Sequence, residues 1–139
     1  KPLDLMLPYR LEMGTRLENK NGKNLYEFWG DSLSETISSE LDTHKDKVVI
    51  NCASNEYFKS IDNEALGVSV ITPEFKEIKN GKTRMISFFA KKARGMMARF
   101  IVENRIDFSE QILDFNMAGY KFDQSLSSQG KPVFTRIQP

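Results

Sequence analysis

The 139-residue sequence predicts an α/β domain in which helices pack against a mixed sheet, and three observations carry that expectation. Apolar residues recur at three- to four-residue steps in two long segments, the signature of amphipathic helices. Short β-branched or alternating stretches are interspersed with them rather than gathered in one block, which puts strands and helices around the same core. An Asn80-Gly81 pair between two such stretches marks a hairpin, because a type I′ turn needs positive φ at both central residues. Forty per cent of the residues are hydrophobic and 28% charged, the balance of an ordinary globular chain. No repeat, low-complexity tract or linker divides the sequence, so residues 1–139 read as one domain. No apolar run approaches the ~18 residues of a membrane span. The chain opens on Lys1 and the mostly apolar residues 2–8, a start that reads as the interior of a longer protein.

The elements are expected in the following order. Residues 1–14 hold two prolines and no sustained period, as in an extended connection, and residues 19–23 form a turn cluster. Asn24 suits a helix N-cap, with Glu27 three residues on as the reciprocal acceptor. Leu25, Phe28, Trp29, Leu33, Ile37 and Leu41 then trace one helix over roughly 25–42, with Gly30 as its weak point. Val48-Val49-Ile50 reads as a short strand buried on both faces. Ser54 is expected to cap a short helix carrying Tyr57 and Phe58. A β-hairpin is expected over about 68–90, its second strand at 83–89, followed by a basic amphipathic helix at about 91–105. Ser109 is expected to cap a short helix with Ile112 and Leu113, and 119–122 and 133–137 to be strands around a Ser/Gly-rich turn.

The net charge of +1 conceals a segregated distribution. Residues 76–105 hold nine Lys or Arg against Glu77 and Glu103, a local net of +7, while the remainder carries −6. Charge sorted in this way marks a working surface. Stepping about 100° per residue around 91–105 puts Ala93, Met96, Met97, Phe100 and Ile101 on one face. Lys91, Lys92, Arg94, Arg99 and Arg105 flank the opposite face, along whose centre lie Gly95, Ala98 and Val102. Small residues between cationic rims let a phosphate backbone come close while long side chains reach it from both sides. A merely solvated face, or a stripe packed by another helix, are the bland accounts of the same residues.

A second candidate site is the polar turn after the apolar strand, where Asn51, Ser54, Glu56 and Tyr57 occupy the place at which α/β folds commonly bind ligands. Turn-forming and capping duty explains these residue types equally well. Cys52, the one cysteine, is read as a small core residue rather than a nucleophile. His44 and Cys52 are the only strong nitrogen or sulfur ligands and cannot close a metal site between them. No catalytic residue, metal site or cofactor is assigned from the sequence.

Residues 1–6 and 8–14, Phe28-Trp29-Gly30, Glu56-Tyr57-Phe58-Lys59-Ser60, Ala90-Lys91-Lys92-Ala93-Arg94-Gly95, Phe115 and Gly119-Tyr120 together closely resemble the carboxyl-terminal half of the YaaA family of bacterial peroxide-stress proteins. The resemblance is collinear through essentially the whole chain. It implies a cytoplasmic protein that protects against hydrogen peroxide, limits damage from intracellular iron and binds DNA, double-stranded by expectation, through a positively charged cleft. It also implies an amino-terminal half preceding Lys1. DNA contact carries over to Lys91, Lys92, Arg94 and Arg99, which match the family's basic motif, and extends to Arg10. The family's Asn-Leu-Ala-Ser segment reads Asn51-Cys52-Ala53-Ser54 here, which argues against a redox role for Cys52.

Two readings of function stand at this point. One is a DNA-binding stress protein without catalysis. The other is an enzyme acting on a nucleotide, nucleic acid or other anionic substrate. Convergence of 51–57 and the basic helix on one deep cleft favours the enzyme; a broad, shallow positive groove favours binding.

Overall fold

Helix formation begins where the sequence offers a cap. In the computed structural model, which describes residues 12–16 and 18–138, the Glu27 N–H donates to the Asn24 side chain at 3.0 Å. The Lys23 N–H donates to the Glu27 carboxylate at 2.9 Å. Helix α1 (Leu25–Trp29) follows. The single helix expected over 25–42 is two, because Gly30 takes φ +47° and ψ −132°, a conformation open to glycine. Helix α2 (Ser32–Leu41) restarts beyond it. Most of the extended connection expected over 1–14, and Arg10 with it, lies outside the described residues.

Strand β1 (Val48–Ile50) is half-buried rather than fully enclosed and pairs in parallel with β2 (Ser69–Ile71). Parallel pairing requires a crossover, and the short helices α3 (Asn55–Phe58) and α4 (Asn63–Leu66) provide it. Ser54 stands at the cap position of α3, but its hydroxyl makes no capping bond. The Asp62 side chain caps α4 by accepting the Glu64 and Ala65 N–H groups. Buried Ser34 of α2 accepts the Asp62 N–H at 2.8 Å, which ties α2 to α4.

The chain enters β3 (Glu74–Lys79), turns at Asn80 (φ +51°) and Gly81 (φ +70°), and returns as β4 (Lys82–Arg84). The hairpin tip is therefore as expected, but the second strand stops at Arg84. Residues 87–89 belong instead to helix α5 (Ser87–Glu103). The reason is periodicity: buried Ala90 continues the stripe of Ala93 and Met97 backwards, whereas all three β4 residues are exposed and a longer edge strand would bury nothing more. At its far end α5 stops at Glu103, where the Asn104 side chain donates to the Phe100 carbonyl at 2.8 Å. Arg105 leaves the helix with φ +48°.

A 3-10 helix over Ser109–Asp114 follows, with Phe108 rather than Ser109 at the cap position. The Ser109 N–H donates to Asp46 Oδ2 at 2.7 Å. Strands β5 (Lys121–Phe122) and β6 (Val133–Ile137) are antiparallel, and β6 runs parallel to β3. The order β4-β3-β6-β5 makes a mixed sheet beside the β1-β2 pair, which is the α/β class the sequence predicts.

Register decides what lies under α5. Phe75 pairs with Phe134 and Glu77 with Arg136, and residues two apart share a face. The stacked Phe75 and Phe134 rings, 5.5 Å apart, join Phe115, Tyr120, Ala90, Ala93, Met97 and Ile112 in the core. One step along, Glu77 is 2% exposed. Arg136 Nε donates to its two carboxylate oxygens at 2.9 and 3.2 Å, and the Tyr120 hydroxyl donates to Oε1. The Arg136 guanidinium lies between the Tyr120 ring, 4.5 Å from its centroid, and the Phe89 ring at 5.1 Å.

Burial, and then the hydrogen bond to Glu77, push the Tyr120 phenol well above its ordinary value. A raised folded-state value means that the unfolded chain loses this proton first. The contribution is complete below about pH 10 and declines as pH rises towards the folded-state value. Denaturant melts from pH 9 upwards should show that alkaline loss in the native chain. Tyr120→Phe should cost stability at neutral pH and flatten the alkaline limb; an equally steep limb in the variant contradicts the assignment.

Candidate functional site

Helix α5 presents its apolar face inward and leaves Gly95, Ala98 and Val102 exposed, Val102 at 75%. A Cβ built on Gly95 meets nothing within 4 Å among the described residues, so the centre of the outer face is open to them. Lys91 and Lys92 are exposed on its flanks, Arg94 is half-buried and Arg99 exposed. Lys92 Nζ stands 4.4 Å from the centroid of the exposed Phe88 ring. Arg99 Nε is held by Glu103 Oε1 at 2.7 Å, and Lys76 Nζ by Glu74 Oε2 at 3.1 Å. Lys79, Lys82, Arg84, Lys91, Lys92, Arg94 and Arg105 form no ion pair among the described residues. Arg105, past the end of the helix, does not continue the face on which the sequence placed it.

Two hollows meet at Gly95. One, of about 500 Å³, lies between α5 and the turn after β1: Ser54, Glu56 and Tyr57 form one wall, Lys91 and Arg94 the other, with Cys52 and Ser87 completing it. The other, of about 520 Å³, is lined by Phe89, Lys92, Met96, Arg99, Ala118 and Arg136. Together they make a trough with cations on both sides of a bare backbone. A third hollow of about 690 Å³ lies at the hairpin, with Lys79, Lys82 and Arg84 around it.

The structure thus brings Ser54, Glu56 and Tyr57 together with Lys91 and Arg94, but not Asn51. Asn51 is buried; its Nδ2 donates to Thr72 Oγ1 at 3.3 Å and its Oδ1 accepts the Ala53 N–H at 3.0 Å. It holds the turn from beneath. Glu56 is exposed, receives the Met13 N–H at 3.4 Å and anchors Tyr26 through its carbonyl at 2.7 Å. Burial raises the Cys52 thiol, with Arg94 opposing in part, so at neutral pH the group is a thiol and not a nucleophilic thiolate. No helix among the described residues is long and apolar enough to cross a membrane.

Sequence reasoning missed Arg136, whose guanidinium lines the second hollow while its Nη1 donates to the Ala118 carbonyl at 3.2 Å. The signal was in the alternation. Arg136 shares a strand face with Phe134, and Glu77 shares one with Phe75, so two opposite charges occupied core-facing positions on two strands. The contribution of Ser87 and Phe89 was missed because both were assigned to a strand.

The chain matches the family model described as peroxide stress protein YaaA over residues 1–126. That match takes in the turn after β1 and the whole of α5, while Arg136 of the second hollow lies beyond it. With the basic Ala90–Gly95 segment, the Glu56–Ser60 segment and Gly119-Tyr120 all inside the matched span, this chain belongs to the YaaA family of peroxide-stress proteins.

Proposed function

We propose that this chain binds double-stranded DNA along α5 and thereby limits iron-dependent oxidative damage. The observation that carries the proposal is the open trough at Gly95, flanked by Lys91, Lys92 and Arg94 without ion pairs among the described residues. Lys and Arg on phosphates release condensed counterions, which drives association. Ferrous iron is one such counterion. Held on DNA, it passes one electron to hydrogen peroxide, giving ferric iron, hydroxide and a hydroxyl radical beside the sugars. Displacing it from the phosphates moves that chemistry away from the strand.

Changing Lys91, Lys92, Arg94 and Arg99 together to alanine should weaken DNA binding and flatten its salt dependence. Each lost phosphate contact removes about 0.9 from the log–log slope, and Arg99, engaged by Glu103, counts for less than the others. A drop of about 3 is expected from salt-titrated anisotropy; an unaltered slope in a folded variant removes α5 from the interface. Gly95→Leu gives a test of opposite sign. It fits the open space and raises helix propensity by about 0.8 kcal/mol, so the melting midpoint should hold or rise while DNA affinity falls. A more stable variant with undiminished affinity contradicts the trough.

Convergence of Glu56, Ser54, Lys91 and Arg94 on one hollow supports a second reading, an enzyme acting on a nucleotide or nucleic acid. Glu56→Gln removes the charge and keeps the shape. Under the binding reading DNA affinity should be similar or slightly tighter, since an acid is lost near a polyanion. A nucleotide-directed turnover in the native chain that disappears in Glu56→Gln establishes the enzyme instead.

A further inference from the structure

Within the hollow between α5 and the turn after β1, opposite charges face each other without meeting. Glu56 stands on one wall, Lys91 and Arg94 on the other, and none of the three forms an ion pair among the described residues. The space of about 500 Å³ between them exceeds what a single phosphate group occupies and suits a phosphate with a sugar and a base. Lys91 and Arg94 are three residues apart on α5, so both ammonium and guanidinium rise from one edge of the helix. Two hydroxyls, those of Ser54 and Ser87, join them, and neither is engaged in another hydrogen bond among the described residues.

We propose that this hollow receives the terminal phosphomonoester of a nucleotide, with Lys91, Arg94, Ser54 and Ser87 on the phosphate, Tyr57 against the base and Glu56 accepting from the sugar or base. The proposal rests on the reading of α5 as a phosphate-binding face and specifies what its most enclosed part selects. A monoester carries between about −1.5 and −2 at neutral pH and three acceptor oxygens, whereas a diester within a strand carries one charge. Two converging cations and two hydroxyl donors match the former. Tyr57, 54% exposed, offers a ring face on which any base can stack. Glu56 supplies the discrimination. A strand threaded past Glu56, rather than lying over Gly95, would bring its next phosphate against that carboxylate, and like charges at such range repel; a strand end or a free nucleotide has no next phosphate there. The half-buried Cys52 thiol, whose burial disfavours the thiolate, adds no competing negative charge.

The ligand can come from two sources, a free mononucleotide or the 5′ end of a DNA strand, and one set of measurements separates them. Anisotropy of the intact chain at about 0.15 M salt compares a short duplex ending in 5′-phosphate with the same duplex ending in 5′-hydroxyl, and calorimetry measures adenosine monophosphate alone. The phosphorylated end should bind about tenfold tighter, as charge-assisted hydrogen bonds of ordinary strength allow. Lys91→Met, which keeps the helix and the exposed stem, should remove most of that preference while 5′-hydroxyl duplex loses only one phosphate contact. Monophosphate that binds and erases the preference identifies free nucleotides as a source; a preference that persists with monophosphate silent identifies the strand end. Equal affinity for both ends with no monophosphate binding overturns the proposal and leaves the DNA-binding face standing. Monophosphate binding with neither duplex bound overturns the DNA-binding face and leaves the hollow's assignment standing.

Discussion

The arrangement of α5 depends on a charge pair that the fold buries. Removing Glu77 and Arg136 from water costs several kcal/mol per ion, and such a pair is tolerated only when every remaining donor and acceptor is satisfied. Here the Glu77 carboxylate receives Arg136 Nε and the Tyr120 hydroxyl, and Arg136 Nη1 reaches the Ala118 carbonyl. Deleting one partner of such a pair costs about 3–5 kcal/mol, because the other is left charged and buried. That asymmetry makes the pair a device for register. Sliding β6 by one residue against β3 would part Glu77 from Arg136 and turn Phe134 away from Phe75 at once.

The same guanidinium fixes what lies above the sheet. Its faces rest on Tyr120 and on Phe89 in the first turn of α5, so the helix begins at a set place over β3. Its hydrogen bond to Ala118 holds a non-glycine residue at φ +53°, a conformation costing of order 1 kcal/mol or more unless surroundings enforce it. Small residues then bring the helix down: Ala90 and Ala93, both within 3% of full burial, let α5 approach the aromatic core closely. Long side chains are left for the rims and small ones for the outer centre.

The class of fold, the hairpin tip, the cap at Asn24 and the inward face of α5 were legible in the sequence, because each rests on local chemistry or on a period. The failures have equally local causes. The segment 83–89 reads as a strand by its β-branched and aromatic content, yet tertiary burial of Ala90 carries the helix back to Ser87. The apolar period across Gly30 is continuous, but one residue's dihedrals override it. At the site, Ser54, Glu56 and Tyr57 were recognised as a group with the basic helix only in outline, since which turn faces which helix is decided by the crossover through α3 and α4. Asn51 illustrates the limit: the same residue type at a strand exit serves a ligand or its own backbone, and only burial and the bond to Thr72 distinguish the two. Arg136 was visible as a core-facing charge, provided Glu77 was recognised as its partner on the other strand.

The cost of the cationic surface to the fold points to what the surface is for. Helices are stabilised by acids in the first turn and by oppositely charged residues three or four positions apart. Helix α5 has no acid in its first turn, and no acid occupies those spacings from Lys91, Lys92 or Arg94. Lys91 and Arg94 themselves form a like-charged pair of that spacing. At the hairpin, Lys79 lies directly opposite Lys82 in register, an arrangement that destabilises a strand pair. Each departure is worth only a few tenths of a kcal/mol, and each is removable by one glutamate. The chain does use that remedy elsewhere, at Lys76 with Glu74 and at Arg99 with Glu103. Cations left without an ion pair among the described residues on the helix and the hairpin, in a molecule that neutralises others nearby, are the counter-charges that the proposed binding of a polyanion uses.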